Sequence, residues 1–325
     1  MAKVKLTLAV NQFDRHMPLL DGTVTAEGID LDVLAVGQGE KLKHGSDRNE
    51  RMIQNREFDI CELSLSSYLI AKSRKLPFTA IPVFPRRQFS QSNMWVNVNA
   101  GIREPKDLAG KGVGLNTFQT TLSVLAKGDL QSEYGVPWRE ISWYVSAEEP
   151  VAFDPLPGVS IKLIPRGKKI GAMLEEGEID ALFVPRIPEP AFRGSTKIRR
   201  LFHDPRDEER KYFQKNGFYP IMHVIVFRNE VLEAHPWTAQ SVMAVFERAK
   251  DVARHYYDDP NWSLLAWARH LFEEERSVLG ADPWSFGVRH NRTNLERFIK
   301  YSVDQGLMLN EIPLEEFFHP STLET

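Results

Sequence analysis

The chain has 325 residues, of which 42% are hydrophobic and 26% charged, and its formal net charge is −3. This length and composition are typical of a globular protein with one large domain or two ordinary ones. Acidic and basic residues are interspersed without a long basic block, which argues against a nucleic-acid partner. The single cysteine, Cys61, excludes an intramolecular disulfide and is interpreted as a small buried hydrophobe.

The N-terminal residues alternate between apolar and polar as in a strand, and no cleavage site of small residues follows them. They therefore lack the pattern of a signal peptide. No apolar run reaches the length that a membrane span requires. We expect a cytoplasmic protein with no membrane partner.

Strand-like and helix-like segments alternate along most of the chain. Alternating apolar residues and short buried runs predict strands, and apolar residues at helical spacing predict helices. Up to residue 93, the predicted strands are 3–11, 29–34, 58–61 and 78–84, and the predicted helices are 50–57 and 64–75.

A second series of alternating segments begins near Met94. The predicted strands here are 94–98, 111–115, 141–146, 160–164, 179–184 and 197–202, and the predicted helices are 119–134 and 168–176. A strand over 219–227 follows, after which the sequence is almost entirely helical. Apolar residues recur with the helical period over 238–257 and 295–306.

This order of elements predicts an α/β fold of two lobes. We assign residues 1–93 and 222–325 to lobe one, which is then discontinuous and ends in a helical tail. Residues 94–221 form lobe two. The segments 94–98 and 197–219 are expected to connect the lobes, with a ligand cleft between them.

A short internal echo supports two lobes of the same plan. Residues 57–61 and 178–182 share the order acidic, apolar, Asp and then a buried strand, and each follows a predicted helix. Lobes built on the same βαβ arrangement would produce this echo. The alternative is a chance match of five residues.

Several familiar catalytic signatures are missing from the sequence. It contains no nucleophile elbow, paired zinc-binding histidines, Cys-x-x-Cys pair or Walker loop. Gly112 and Gly114 lack the third glycine of a dinucleotide fingerprint. The sequence therefore predicts neither a nucleotide site nor a metal site.

Two predicted helix starts are rich in hydrogen-bonding side chains. Ligands bind α/β sheets where strands run into helices, and free N–H groups at a helix start attract anions. Both helix starts are therefore candidate ligand-binding segments; the first has the alternative interpretation of simple N-capping by Ser64. The residues are Ser66 and Ser67 in the first, and Asn116, Gln119 and Thr120 in the second.

Four arginines directly follow predicted strands. A guanidinium group can hold a carboxylate through two parallel hydrogen bonds, which makes these residues candidate anion clamps. The alternative is a solvated charge on a loop. The four residues are Arg15, Arg86, Arg87 and Arg186, of which Arg186 follows the echo strand.

Three titratable side chains, Glu62, His16 and His223, lie in or beside these segments. An imidazole titrates near neutral pH and can serve as acid or base. A histidine within a strand, such as His223, is also commonly a packed and hydrogen-bonded core residue. Together the segments predict a pocket for a small anion, and a dicarboxylate or an aromatic acid fits better than a sugar or a peptide.

Motifs in the same order along the chain resemble the 4,5-dihydroxyphthalate decarboxylase family. The resemblance covers essentially the whole chain and implies a type-2 periplasmic-binding-protein-like fold. The chain departs from the family at Ser90-Gln91, at 117–120 and in the polar segment 37–49. The motifs are ELSLSSY at 62–68, AIPVFPR at 80–86, GIREPKDL at 101–108, YGVP at 134–137, PIMH at 220–223, HPW at 235–237, NR at 291–292 and DQGL at 304–307.

The resemblance implies a decarboxylase that converts 4,5-dihydroxyphthalate, or a related aromatic carboxylate, to protocatechuate or its analogue. No organic cofactor is needed, because the ionised phenol supplies the electrons. His223 and Glu62 are then the proton-transfer candidates, with His16 weaker. The arginines act as clamps and the two helix starts assist them. A non-catalytic binding protein of the same fold and a different lyase or hydrolase are the alternatives, and the sequence leaves a homo-oligomer open.

Overall fold

A computed structural model describes residues 2–325, so Met1, the first residue of predicted lobe one, lies outside the described residues. The chain divides into two compact units. Unit 1 comprises Met1–Arg87, Ile221–Glu296 and Ile312–Thr325, and unit 2 comprises Gln88–Pro220 and Arg297–Glu311. These ranges differ from the predicted lobes mainly at the C-terminus, where 297–311 belongs to unit 2.

Close packing explains why the segment 297–311 belongs to unit 2. Tyr301 lies against Gly128, where an added Cβ atom would be 2.1 Å from the tyrosine ring. Gln305 donates a hydrogen bond of 2.8 Å from Nε2 to the Val124 carbonyl. The helical period over 295–306 predicted the helix itself but not the surface against which its buried side packs.

Eleven strands form two sheets among residues 2–325, and all predicted strands are present. They are β1 Val4–Val10, β2 Ile29–Ala35, β3 Ile60–Ser64, β4 Phe78–Ile81, β5 Met94–Asn97, β6 Gly112–Leu115, β7 Ser142–Val145, β8 Ser160–Leu163, β9 Ala181–Phe183, β10 Ile198–Arg200 and β11 His223–Arg228.

The helices include every predicted one. They are α1 Met17–Leu20, α2 Arg48–Asn55, α3 Leu65–Ser73, α4 Thr121–Tyr134, α5 Ile170–Glu176, α6 Glu189–Phe192, α7 Pro205–Asn216, α8 Asn229–Ala234, α9 Thr238–Tyr256, α10 Ala268–Leu279 and α11 Val288–Asp304. Helix α9 carries the predicted apolar stripe, and its buried residues include Val242, Val245 and Phe246.

Helix α7 lies within 197–219, where we expected a strand at 197–202 and a connecting segment but no helix. Its sequence is dominated by charged residues, and Tyr212 is its one buried side chain, so no apolar stripe marks it as a helix. Its start is nevertheless signalled locally. Asp204 caps it by accepting a 3.0 Å hydrogen bond from the Asp207 amide, and Pro205 occupies the first turn.

The two sheets share one topology. Unit 1 has the strand order β2-β1-β3-β11-β4, and unit 2 has the order β10-β5-β9-β6-β7-β8. Three neighbouring strands run parallel in unit 1 (β2, β1 and β3) and four in unit 2 (β8, β7, β6 and β9). In each sheet the next two strands are antiparallel to their neighbours, so that β1 corresponds to β6, β3 to β9 and β11 to β5. Strand β8 is an addition at the edge of the second sheet.

The sequence echo has a structural counterpart in these sheets. The Oδ2 atom of Asp59 accepts a 2.8 Å hydrogen bond from the amide of Thr7 in the neighbouring parallel strand. The Oδ2 atom of Asp180 accepts an equivalent bond of 2.8 Å from the amide of Gly112. Each aspartate therefore anchors one backbone amide of the neighbouring strand, in the middle of β1 and at the first residue of β6, just before its own strand begins.

Among residues 2–325, no helix combines the length and the apolar character that a crossing of the bilayer demands.

Candidate active site

Glu62 is the centre of a buried polar cluster in unit 1. It lies on β3, a strand whose residues are all buried, and its side chain is fully inaccessible to solvent. The register of β3 with β11 pairs Glu62 with Ile225 and Ser64 with His223. His223 is therefore a diagonal neighbour of Glu62 on the same face of the sheet.

His223 and Glu62 form a short hydrogen bond. Nδ1 of His223 lies 2.5 Å from Oε1 of Glu62, and His223 is 7% exposed. Burial lowers the pKa of His223 to about 4 even though the Glu62 carboxylate opposes that shift. The imidazole is therefore neutral at pH 7, with a proton on Nδ1 directed at Glu62 and a lone pair on Nε2.

Arg48 stabilises the ionised form of the buried Glu62 side chain. Its side chain is fully buried; Nη2 lies 3.2 Å from Oε1 of Glu62, and Nε donates a 2.7 Å hydrogen bond to the Glu62 carbonyl. Burial opposes ionisation of Glu62, but the Arg48 charge and the His223 hydrogen bond outweigh it and hold the pKa of Glu62 well below its ordinary value.

Sequence reasoning missed Arg48, because it lies in the polar segment 37–49, which reads as a solvated loop. Asp47 adopts a left-handed conformation with φ 60° just before α2 begins at Arg48. Arg48 also donates from Nη1 to the Val36 carbonyl, so three contacts hold the guanidinium inside the unit. No sequence signal marked Arg48, because the predicted helix begins at residue 50 and the structure begins it two residues earlier.

His16 lies on the other side of Glu62, although it is not hydrogen-bonded to it. The Asn11 amide donates a 2.8 Å hydrogen bond to Oε2 of Glu62, and Nδ1 of His16 donates one of 2.8 Å to the Asn11 carbonyl. The His16 ring lies between Phe13 and Phe246 and is 1% exposed. Burial lowers its pKa to about 4.

Two of the predicted clamps, Arg86 and Arg15, lie near this cluster in unit 1. The Arg86 carbonyl accepts hydrogen bonds from the Met222 and His223 amides, and the Arg86 charge contributes to the lowered pKa of the His223 ring. Arg15 donates from Nε to the Pro85 carbonyl at 2.6 Å. Its guanidinium carbon lies 4.0 Å from the ring centroid of Trp284. Both arginines are partly buried and thus held in place.

Arg87 and the first helix start are placed differently from the prediction. Arg87 is buried, and its Nη2 atom donates to the Ser285 carbonyl and to Oδ1 of Asn291, both at 2.6 Å. Protein oxygen atoms thus take the place of the expected carboxylate. Ser66 and Ser67 are buried in α3, and Ser64 caps that helix by accepting a bond from the Ser67 amide.

In unit 2, the chain's own carboxylate occupies the second predicted anion site. Glu149 accepts hydrogen bonds from the Phe118 amide at 2.6 Å and the Gln119 amide at 3.0 Å, just before α4. Burial raises the pKa of Glu149. These amides were expected to bind a ligand, and the loop after β7 supplies their acceptor instead.

The other residues of this segment are also engaged within unit 2. Gln119 is fully buried and donates from Nε2 to the Val151 carbonyl, and Thr120 contacts Thr117 through a 2.9 Å hydroxyl pair. Asn116 accepts bonds from two amides through its carbonyl. Lys127, which the sequence did not reveal, is fully buried and donates to the Phe118 carbonyl at 2.8 Å; burial holds its pKa well below the ordinary value.

Arg186 is exposed just beyond β9, where it lines a cavity of unit 2. Of the predicted site residues, the structure thus brings Glu62, His223, His16, Arg86 and Arg15 into one part of unit 1. An ionised carboxylate that orients a neutral imidazole is an arrangement capable of general base catalysis.

Comparison with known proteins gives both near and distant relatives. No family model matches the chain. The 4,5-dihydroxyphthalate decarboxylase of Comamonas testosteroni is 33% identical over 100% of this chain and 99% of its own length. The same-named protein of Pseudomonas putida is 30% identical over 213 residues, which cover 63% of this chain and 80% of the relative.

Among solved structures, the alkanesulfonate-binding protein of Xanthomonas axonopodis pv. citri matches with a TM-score of 0.57 at 10% identity, covering 96% of each chain. This match and the two sheets define a type-2 periplasmic-binding-protein fold, as predicted. Within that fold, the full-length likeness to the Comamonas protein is more specific. The chain belongs to the 4,5-dihydroxyphthalate decarboxylase family, which confirms the resemblance seen in the sequence motifs.

Proposed function

We propose that the protein is a cofactor-independent decarboxylase of a hydroxylated aromatic acid, with conversion of 4,5-dihydroxyphthalate to protocatechuate as the preferred candidate reaction. The family supplies the reaction class. The observation that carries the proposal for this chain is the 2.5 Å hydrogen bond between Nδ1 of His223 and the buried carboxylate of Glu62.

The substrate itself determines what the protein must supply. In 4,5-dihydroxyphthalate each carboxylate is para to a hydroxyl group. Removal of the hydroxyl proton pushes electron density onto the carbon that bears the carboxylate. That carbon takes a proton from water, its bond to the carboxylate breaks, and carbon dioxide leaves as the ring becomes aromatic again. The base then returns the hydroxyl proton to the product. The net change is the uptake of one proton.

His223 is the base in this scheme, and Glu62 is its positioning residue. The neutral imidazole accepts the phenolic proton on Nε2, while Glu62 fixes the tautomer and stabilises the imidazolium that forms. Arg48 keeps Glu62 ionised and therefore unable to act as the acid. Arg86, whose charge reaches the His223 ring, is the candidate partner for a substrate carboxylate.

The direct test is release of carbon dioxide from a panel of aromatic acids by the purified protein. We expect turnover of 4,5-dihydroxyphthalate and none of phthalate, which has no hydroxyl to ionise. Phthalate is the matched control because it retains both carboxylates. Failure to release carbon dioxide from any hydroxylated acid would show that the chain is not a decarboxylase of this class.

His223→Gln tests the assigned base. We expect turnover to fall by about 10²-fold or more, since general base catalysis typically contributes that much. His255→Gln, on an exposed position of α9, should leave turnover unchanged. Unchanged turnover in the His223 variant would show that the histidine is only a packed core residue.

The lowered pKa of His223 predicts an unusual pH profile. With a pKa of about 4 the base stays deprotonated, so kcat/KM should remain high down to pH 5 and fall as the pH drops through about 4. An unperturbed histidine would lose half of the activity near pH 6.5. A midpoint near 6.5 would therefore contradict the lowered pKa of this buried imidazole.

A further inference from the structure

Unit 2 contains a cavity of about 320 Å³ that the proposed reaction at His223 does not use, and the predicted clamp Arg186 is among its lining residues. Its volume is at the lower end of the range of roughly 300–1,000 Å³ that small-molecule sites occupy. All of its lining residues belong to 88–220, so unit 2 alone builds it. A site of this size suits a ligand with a single aromatic ring.

Two arginines give the cavity a positive character. Arg200 lies on edge strand β10 directly opposite Trp95 of β5, with its guanidinium carbon 5.0 Å from the centroid of the Trp95 ring. Among residues 2–325, the buried Nε atom of Arg200 has no hydrogen-bond partner. Arg186 lines the same cavity from an exposed position beyond β9.

One acidic side chain, Glu209 of α7, accompanies the two arginines. Its Oε1 atom accepts a 3.0 Å hydrogen bond from the Ser92 amide, which holds the carboxylate against the cavity wall. Burial raises the pKa of Glu209, although the Arg200 charge acts in the opposite direction. With two cations and one carboxylate, the lining favours an anion over a neutral or cationic ligand.

Aromatic rings form much of the remaining wall. Trp95 is 8% exposed, and Phe89 and Tyr219 stack with ring centroids 4.7 Å apart. Such a wall provides rigid apolar surface and ring faces that pack well against another aromatic ring. The guanidinium group binds a carboxylate in a planar, two-pronged fashion, so both halves of an aromatic acid have a partner here.

We propose that this cavity is a binding site for an aromatic carboxylate, with Arg200 and Arg186 holding the carboxylate and Trp95 contacting the ring. Binding at this site does not require decarboxylation, so the inference stands apart from the proposed function. A failure to release carbon dioxide leaves it unaffected, and a failure to bind here leaves the His223 base unaffected.

Calorimetric titration of the full chain with three probes tests the class of ligand. Benzoate and phthalate present one and two carboxylates, and benzamide is the neutral isostere of benzoate. We expect saturable binding of both acids and affinity for benzamide at least tenfold lower, because charge-assisted hydrogen bonds are lost. Equal affinity for benzoate and benzamide, or no saturable binding of either acid, would overturn the proposal.

Substitutions then locate the bound acid. Arg200→Gln should weaken phthalate binding by about 10- to 100-fold. The affinity of Arg200→Lys for phthalate should fall between that of Arg200→Gln and that of the wild type. Lysine keeps the positive charge but cannot form the two parallel hydrogen bonds of a guanidinium group. Arg166→Gln, an exposed arginine of unit 2 outside the lining, is the control and should bind as the wild type does. If Arg166→Gln weakens phthalate binding as much as Arg200→Gln does, the effect comes from the overall charge of the protein and the proposed site is wrong.

Two more variants keep the test decisive if Arg200→Gln does not fold. Arg186→Gln, at an exposed position, should weaken phthalate more than benzoate. Glu209→Gln should tighten phthalate binding several-fold, because it removes the one negative charge in the lining. Wild-type affinity in both variants would overturn the proposal. So would binding lost in His223→Gln but kept in Arg200→Gln, since the acid would then lie in unit 1.

Discussion

The corresponding edges of the two sheets hold a carboxylate in different ways. In unit 1, Glu62 accepts the amide of Asn11, which directly follows β1. In unit 2, Glu149 accepts the amides of Phe118 and Gln119, a few residues after the corresponding strand β6. The shared topology leaves free backbone N–H groups at both places, and in both places an acidic side chain satisfies them.

The two carboxylates differ in what else surrounds them. Glu62 is fully buried and has Arg48 and His223 as partners, and its pKa is lowered. Glu149 is half-buried on a loop and relies on backbone amides, and burial raises its pKa. The comparison teaches that sheet topology decides where a carboxylate can be held, whereas neighbouring side chains decide whether it stays ionised.

The largest expected effect comes from removing the negative charge of Glu62. Glu62→Gln leaves Arg48 buried without its counter-charge, which we expect to lower the free energy of unfolding by about 3–5 kcal/mol. Glu149→Gln is the comparison variant, and it should cost only about 1 kcal/mol, because a glutamine oxygen can still accept the two backbone amides and the buried Lys127 is only a secondary electrostatic influence on Glu149. Urea unfolding of both variants measures the two values. Equal losses would show that Arg48 does not distinguish the two sites.

Asp129 of unit 2 sharpens the comparison, because it is a fully buried carboxyl group with no arginine in hydrogen-bond contact. It accepts a 2.7 Å bond from Ser90 and longer bonds from Tyr212 and Tyr301. Burial raises its pKa to about 7, well above the value of about 4 expected in the unfolded chain. The folded state therefore keeps a proton that the unfolded state loses between these two pH values.

This group should make the protein less stable as the pH rises. Its contribution is fully present below about pH 4 and is lost as the pH rises through 7, with a slope of at most about 1.4 kcal/mol per pH unit. Asp129→Asn cannot ionise, so the free energy of unfolding of this variant should fall less between pH 4 and 7. Parallel pH profiles of variant and wild type would rule out Asp129 as the source of the slope.

Much of the fold was predictable because it depends on local patterns. The period of apolar residues located every strand, and the motif order pointed to the family. Helix α7 escaped prediction because its buried side is a single tyrosine. The assignment of 297–311 to unit 2 escaped it because contacts such as Tyr301 on Gly128 join residues far apart in the chain.

The candidate site was predictable only as separate residues. Glu62 and His223 were both proposed from the sequence, but they lie 161 positions apart in the chain and their contact depends on the register between β3 and β11. Arg48 and Glu149 were missed for a common reason. Each lies in a polar segment that looks solvated, and only the folded chain shows that its charge turns inward.

The smallest expected effects come from substituting Asp59 and Asp180, the two aspartates that occupy corresponding positions in the two sheets. Both accept a 2.8 Å bond from a neighbouring strand, but Asp59 also accepts the Thr7 hydroxyl at 2.9 Å and pairs with Arg228. Because bonds to charged groups contribute about 1.5–3 kcal/mol, Asp180→Ala should cost near the lower value and Asp59→Ala near the upper one. Urea unfolding, with separate transitions fitted if the units unfold apart, measures both. Equal losses would mean that the shared backbone bond, and not the added partners of Asp59, sets the strength of this contact.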